Sequence, residues 1–245
     1  MFTQRFLRNR KGVRLEAEER ARLDSAISEV RSLPARTTIV RAGQEVVEST
    51  LLLEGIMSRY IDDNQGLRQL VGVQVPGDFV DLHGYPLKVL DHDVATMTAV
   101  TVAIVPHQQL DAITAEMPEL ARKLWFSTLL DASIHRAWLF RLGRLDALGR
   151  VAHFLCETNA RLMYAGLSDG QRFVLGITQA DIAEICGLTS IHVNRVMRQL
   201  REENLCVVRS SLVDILDPER LIARAQFDPA YLYLDKPPAL GQPPA

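Results

Sequence analysis

Six residues at the start of one short helical segment have the side chains best suited to a defined chemistry in this 245-residue sequence. They are Ser190, Ile191, His192, Asn194, Arg195 and, one turn on, Arg198. That chemistry is the reading of nucleic-acid bases. An arginine guanidinium spans the O6 and N7 acceptors of guanine, and an asparagine amide pairs with N6 and N7 of adenine. Ser190 and the free N–H groups of a helix start suit phosphate. His192 fits a base or phosphate contact and a solvent-facing position equally well.

Such side chains read DNA only if a scaffold holds them outward in the major groove, and the flanking stretch ITQADIAEICGLTSIHVNRVMRQLREENL, Ile177 to Leu205, supplies one. Thr178 followed by Asp181 is a variant capping pattern that starts a helix of about nine residues. Ile182, Ile185 and Cys186 give it an inward face, and Ala183 is small where a second helix must cross. Gly187 permits the left-handed turn, Leu188 plugs it, and Thr189 caps the second helix, which Val193, Val196 and Leu200 pack back. A small residue, a glycine four later and a buried valine six after that is helix-turn-helix spacing. The expected DNA-contacting set is therefore Thr178, Gln179, Thr189, Ser190, Ile191, His192, Asn194, Arg195 and Arg198. The run LCVVRSSLVDIL then reads as two short strands about Arg209-Ser210-Ser211, a wing. DPERL opens a last helix with proline at its first position.

The rest of the chain must carry this module. Leu15, Leu23, Ile27 and Val30 suit one face of a helix from Leu15 to Leu33, broken by Pro34. From Thr37 to Val105 the period changes to two, with Val71, Val73 and Val75 on one face and Val100, Val102 and Ile104 on another. Turns fall at Asp62–Gly66 and Pro76–Asp78. Many short strands in so few residues imply an antiparallel β-roll or jelly roll. From Pro118 to Leu142 a long helix runs with two apolar stripes: Leu120, Leu124, Ile134 and Trp138 on one, Phe126, Leu130, Ala137 and Phe140 on the other. One stripe suffices for packing on a single domain, so the second implies a partner helix in a twofold dimer, or burial within one large domain. The interface is expected at Leu120, Leu124, Ile134 and Trp138. Asp146 caps the next helix, and the domain boundary is expected at Gly143–Asp146.

The fold class is thus α+β. It comprises a basic N-terminal arm (1–14), a helix and sensory β-roll (15–106), a long dimerisation helix (107–145), a winged helix-turn-helix (146–227) and a largely disordered C-terminal tail (228–245). The sequence is 47% hydrophobic and 24% charged, with a formal net charge of −2. Nucleic-acid binding must therefore rest on a local surface. From Asp146 to Phe227 there are nine Arg and Lys against ten Asp and Glu. One such domain should bind weakly, and two recognition helices about 34 Å apart in a dimer would raise the affinity. No apolar stretch approaches the roughly 20 residues of a membrane span, and the N-terminus lacks a secretory pattern, so a cytoplasmic protein is expected. Cys156, Cys186 and Cys206 are spaced as buried thiols rather than metal ligands.

The motifs ITQADIAEICGLT, HVNRVMRQL, RLDALGRVAHFL and the PGDF turn at Pro76–Phe79 resemble those of the CRP/FNR family, the cyclic-AMP receptor protein and fumarate-nitrate regulators. The likeness runs from about Leu15 to Leu221. It implies a bacterial transcription regulator that binds a near-palindromic operator as a homodimer and contacts RNA polymerase, with no enzymatic activity and no cofactor. Arg195 matches the family's guanine-reading arginine, whereas Ile191 stands where many members carry a base-contacting glutamate. In the sensory half, VDLHG and LDHDVATM replace the family's cyclic-nucleotide motifs. They lack the phosphate-pairing arginine and ribose-binding glutamate, and Asp91-His92-Asp93 would repel a phosphate. No cysteine precedes Cys156, so an iron-sulfur cluster is equally unsupported. The small-molecule effector is left unidentified.

Two other functions fit parts of the sequence. His83, His92 and His107 lie in or beside the roll, where a jelly-roll metalloenzyme would hold its ion, but no His-x-His or His-Glu pair shares a strand. An interaction module without DNA binding would differ in failing a gel-shift assay. From the missing arginine and glutamate, cyclic AMP and cyclic GMP should neither bind tightly nor switch DNA affinity. Titration calorimetry checks this, and a micromolar dissociation constant for either nucleotide would refute it.

Overall fold

The computed structural model describes residues 1–235 and divides into two compact units whose boundary in the sequence lies between Ala132 and Ser133. In the first unit, helix α1 (Ala17–Ser25) precedes strands β1 (Glu29–Leu33), β2 (Thr38–Val40), β3 (Glu48–Glu54), β4 (Met57–Asp62) and β5 (Arg68–Gln74). The short α2 (Gly84–Leu87), β6 (Asp93–Thr96), β7 (Val100–Pro106), α3 (His107–Glu116) and the first part of α4 (Pro118–Arg144) follow. Two antiparallel sheets, β1-β7-β3 and β2-β6-β4-β5, form the expected roll.

Strand β7 shows why alternation makes this fold. Val100, Val102 and Ile104 point into the interior with Leu52, Met57, Val80, Leu90 and Val94. Ala103 and Val105 point the other way, into a second core with Leu110, Ile113, Leu120 and Leu124 from α3 and α4. Successive side chains of a strand face opposite sides, so one strand serves two cores. The Pro76–Phe79 turn closes against Arg5: Gly77 sits at φ 102°, and a Cβ there would lie 2.7 Å from the Arg5 carbonyl oxygen.

Several expectations are corrected. The helix anticipated from Leu15 to Leu33 ends at Ser25, and Glu29–Leu33 is instead strand β1, paired with β7 from Glu29↔Ile104 to Leu33↔Val100. A sheet edge offered a full ladder of backbone partners, and that outweighed the helical periodicity. The N-terminal segment is no free arm, since Phe6 and Leu7 are buried in the second core, with Phe6 edge-on to Phe79.

The proposed dimer residues lie inward. Leu120 and Leu124 belong to the first unit's core, while Ile134 and Trp138 are buried in the second unit, Trp138 donating to Glu157 Oε1 at 3.0 Å. The exposed apolar residues of α4 are Trp125 and Leu129 in the first unit and Leu139 and Phe140 in the second. Because Trp138 and Arg141 pack within the second unit, the boundary between units lies inside α4, upstream of Gly143–Asp146.

The second unit holds the end of α4, then α5 (Ala147–Ala165), β8 (Arg172–Val174), α6 (Gln179–Cys186), α7 (Ser190–Glu202), β9 (Cys206–Arg209), β10 (Leu212–Ile215) and α8 (Pro218–Ala225). Asp146 caps α5 as expected, accepting from the Gly149 N–H at 2.8 Å. The third strand, β8, was not anticipated. It pairs with β10, giving the order β8-β10-β9. Residues 228–235 are not a disordered tail: a 3-10 helix, Pro229–Leu232, buries Leu232, and Tyr231 donates to Glu157 Oε2 at 2.7 Å. The remaining tail residues, 236–245, lie outside the described residues.

Asp81 is 1% exposed. Its carboxylate accepts from the Thr50 N–H at 2.6 Å, and burial pushes its pKa up from 3.8 to about 7. The fold therefore retains a proton that the unfolded chain releases, and stability should fall as pH rises from about 4 to about 7. At about 1.4 kcal/mol per pH unit the full cost is roughly 4 kcal/mol. Asp81→Asn keeps the acceptor for Thr50 and removes the charge, so urea unfolding should find it more stable than the parent at about pH 8 and similar at about pH 4.

Candidate nucleic-acid interface

The helix-turn-helix forms as its sequence dictates. Thr178 and Asp181 make a reciprocal cap: the Thr178 N–H donates to Asp181 Oδ2 at 2.7 Å, and the Asp181 N–H donates back to Thr178 Oγ1 at 3.2 Å. Helix α6 ends at Gly187, which takes φ 60°, ψ 45°, and the Leu188 N–H returns to the Ala183 carbonyl at 2.9 Å. Thr189 Oγ1 then accepts from the His192 N–H at 3.3 Å and starts α7.

Along α7 only Val193, Val196 and Leu200 are buried. Ser190, Ile191, His192, Asn194, Arg195 and Arg198 are all exposed, as are Thr178, Gln179 and Thr189, so every residue of the expected set is accessible. Ile191 is 81% exposed, a large apolar side chain with no packing role. Asn194 Nδ2 reaches Gln179 Oε1 at 3.5 Å, linking the two helices. The wing tip is a two-residue turn in which Ser210 and Ser211 both have positive φ, 45° and 76°. Such values match the twist of a hairpin but are usually taken by Asn or Gly.

What aims α6 is a pair of arginines that sequence reasoning passed over. Arg141 Nη2 donates to the Ile185 carbonyl at 3.2 Å, and Arg150 Nη1 to the Cys186 carbonyl at 3.4 Å. Both satisfy carbonyls at the helix C-terminus and complement its dipole. Arg141 is fully buried, with its guanidinium 4.1 Å from the Trp138 ring centroid. Beside it, Glu157 accepts from Trp138, Tyr231 and Arg161. Burial lowers the pKa of His153, whose ring pairs with Tyr231 Oη at 3.2 Å. The pair Glu157 and Arg161, four residues apart among the apolar residues of VAHFLCETNARLMYA, is the signal that could have exposed this network.

The other candidate chemistries gather less. His83 and His92 face each other with Nε2 atoms 3.4 Å apart, and Asp91 holds His92 Nδ1 at 2.7 Å. His107 lies apart, against Ser49 Oγ at 3.2 Å. No group of three or more His, Cys, Asp or Glu among the described residues is arranged to hold a metal ion. All three cysteines are buried and free, and burial raises their thiol pKa values, Cys186 to about 11 and Cys206 to about 12. No helix among the described residues is long and apolar enough to cross a membrane.

Comparison with known proteins agrees with this geometry. The model of the Crp-like helix-turn-helix domain matches residues 149–224. The chain is 24% identical over 211 residues to the transcriptional activator protein anr of Pseudomonas aeruginosa, covering 86% of each. It is 31% identical over 175 residues to the nitrogen fixation regulation protein FixK of Bradyrhizobium diazoefficiens, covering 71% of this chain and 72% of that one. Among solved structures, FixK2 from Bradyrhizobium japonicum shares the fold, with a TM-score of 0.72 at 22% identity over 80% of this chain and 96% of that one.

The turn makes a direct demand on position 187. A Cβ in the left-handed region costs about 1–2 kcal/mol, so Gly187→Ala should lower stability by that amount in urea unfolding. An unchanged midpoint would show that the turn can relax to another conformation.

Proposed function

This chain belongs to the CRP/FNR family of transcription regulators, and on that premise we propose how it reads DNA. It binds a near-palindromic operator as a homodimer in the cytoplasm, each α7 lying in a major groove. The observation that carries this reading is the split of α7 into a buried Val193-Val196-Leu200 face and a fully exposed edge of groups suited to DNA.

On that edge Arg195 reads a guanine in bidentate fashion and Asn194 an adenine. Ile191, exposed and apolar where many relatives carry a glutamate, packs on a thymine methyl. Ser190, Arg198, Thr178, Gln179 and Thr189 hold phosphates, and His192 contacts a base or phosphate. RNA polymerase is the further macromolecular partner. The effector is not a cyclic nucleotide.

The dimer forms through the exposed side of α4. Trp125 and Leu139 are 65% and 72% exposed, with Leu129 and Phe140 between and beside them at helical spacing. Apolar rows of this kind gain about 25 cal/mol per Å² when covered, and a twofold axis would cover both copies at once.

Two experiments test these assignments. Arg195→Ala should weaken operator binding and flatten preference at one base pair per half-site, a loss of about 1–3 kcal/mol per site. Arg198→Ala should weaken all sequences alike and reduce the salt slope. Competition against a half-site library separates the two, and an unchanged base preference in Arg195→Ala refutes its role even if affinity falls. For assembly, the double substitution Leu129→Glu, Leu139→Glu should yield monomers by light scattering with the circular dichroism spectrum intact. A persistent dimer would place the interface elsewhere.

A further inference from the structure

Inside the first unit the roll is incompletely filled. A cavity of about 460 Å³ opens among β1, β2, β3 and β7, within the size range of small-molecule sites. Its walls are apolar, formed by Leu33, Ile39, Val40, Val102 and Ile104, and the first three are only half-buried.

The polar part of the lining is mostly acidic. Asp81 is 1% exposed, and Thr50 is its one hydrogen-bonding neighbour among the described residues, donating through its N–H to Oδ1 at 2.6 Å. The Thr50 side chain bonds the carboxyl group as well. Glu45 and Glu48 line the more exposed part. Arg31 is the one cation in the lining, and it is already held by Glu29 at 2.9 Å and Glu48 at 3.0 Å. An anion entering here would meet three carboxyl groups and a neutralised guanidinium. A cationic group would give Asp81 the direct ion pair it lacks among the described residues, since a buried charge needs a partner.

The cavity also differs from the place where the family resemblance locates a cyclic nucleotide. Of the segments VDLHG and LDHDVATM, Asp81 alone lines it.

We propose that this cavity binds a small primary amine, its ammonium group on the Asp81 carboxylate and its hydrocarbon body against the Leu33, Ile39, Val40, Val102 and Ile104 wall. Any coupling of the amine to operator binding rests on the regulator reading above, whereas the binding itself does not.

The groups facing Asp81 are Thr50 and Glu48 from β3 and Arg59 from β4, with Arg31 from β1 and Glu45 at the opening. Arg59 is itself engaged, donating to the Val80 carbonyl and to Asp131. Because burial holds the Asp81 proton up to about pH 7, amine affinity should rise between about pH 6 and about pH 8 as that proton leaves.

The test uses the full chain and two probes of equal length and opposite charge, n-hexylamine and hexanoate. By calorimetry and thermal unfolding, hexylamine should bind and raise Tm by a few degrees at about ten times its Kd, while hexanoate should do neither. Asp81→Asn, which keeps the Thr50 hydrogen bond, should lose at least about tenfold in hexylamine affinity, the scale of a charge-assisted contact. Ile39→Trp, which fills the cavity and leaves the carboxyl in place, should lose it as well. Equal stabilisation by hexanoate, no hexylamine response at millimolar concentration, or a response that survives in both variants would overturn the proposal. Operator binding is measured on the same samples without amine. Intact operator binding with no amine response sinks the cavity proposal alone, and lost operator binding sinks the reading of α7 while leaving the amine result to stand.

Discussion

The buried carboxylate of Glu157 is the interaction on which the DNA-binding unit depends. It is fully buried on α5, and it accepts from Trp138 on α4, Arg161 on α5 and Tyr231 in the C-terminal segment. Taking a carboxylate out of water costs several kcal/mol, offset only where hydrogen bonds satisfy its lone pairs. Four donor contacts from three chain segments do so here, counting Trp138 to both oxygens. Trp138 in turn stacks on Arg141, whose guanidinium holds the end of α6. The polar chain therefore runs from a carboxylate on α5 to the helix that precedes the recognition helix. An apolar core of the same volume could match its stability. It would not single out one rotation of α6, because hydrogen bonds to named carbonyls are directional and hydrophobic contacts are not.

The roll has the opposite design. Its strands are set by alternation, with β7 feeding two apolar cores, and its polar interior is confined to a few side chains. Arg59 is nearly buried, yet its guanidinium bonds the Val80 carbonyl and the Asp131 carboxylate. Among the described residues Asp81 is bonded by Thr50 alone, and burial raises its pKa against those bonds. A carboxyl group buried without an ion pair costs stability, and departures of this kind occur at positions retained for something other than folding.

Legibility in the sequence followed the range of the interactions concerned. The capping residues Thr178, Thr189 and Asp146, the turn at Gly187 and the buried faces of α6 and α7 are decided within a few residues, and the sequence shows all of them. Strand β1 was hidden because its partner β7 lies some seventy positions away, and Leu23, Ile27 and Val30 satisfy a helical period equally well. Strand β8 has one buried residue, Phe173, too little for periodicity to register. The C-terminal segment was obscured by the proline-rich stretch that follows it, although Tyr231, Leu232 and Leu234 carry the apolar content of a packed strap. The edge of DNA-reading residues could be read because exposure on a helix follows from the burial of its opposite face. The arginines that aim it could not, because Arg141 and Arg150 look like surface residues until their carbonyl partners are known.

Helix α4 shows why Leu120, Leu124, Ile134 and Trp138, expected at a dimer face, lie inward. Two apolar stripes were visible, and either could have been the free one. The choice is made by what each end of the helix must cover: Leu120 and Leu124 are needed by the core of the roll, and Ile134, Trp138 and Arg141 by the second unit. Once both ends are committed, the apolar residues left exposed are Trp125 and Leu129 in the first unit and Leu139 and Phe140 in the second, with the exposed Arg136 between them in the sequence. A charged residue amid the row limits how far two such helices can pack as a dry seam, since a buried cation without a partner is costly. Under the proposed assembly the contact would divide into an apolar patch before Arg136 and one after it, and the winged domain's near-neutral charge would leave operator affinity dependent on the avidity it provides.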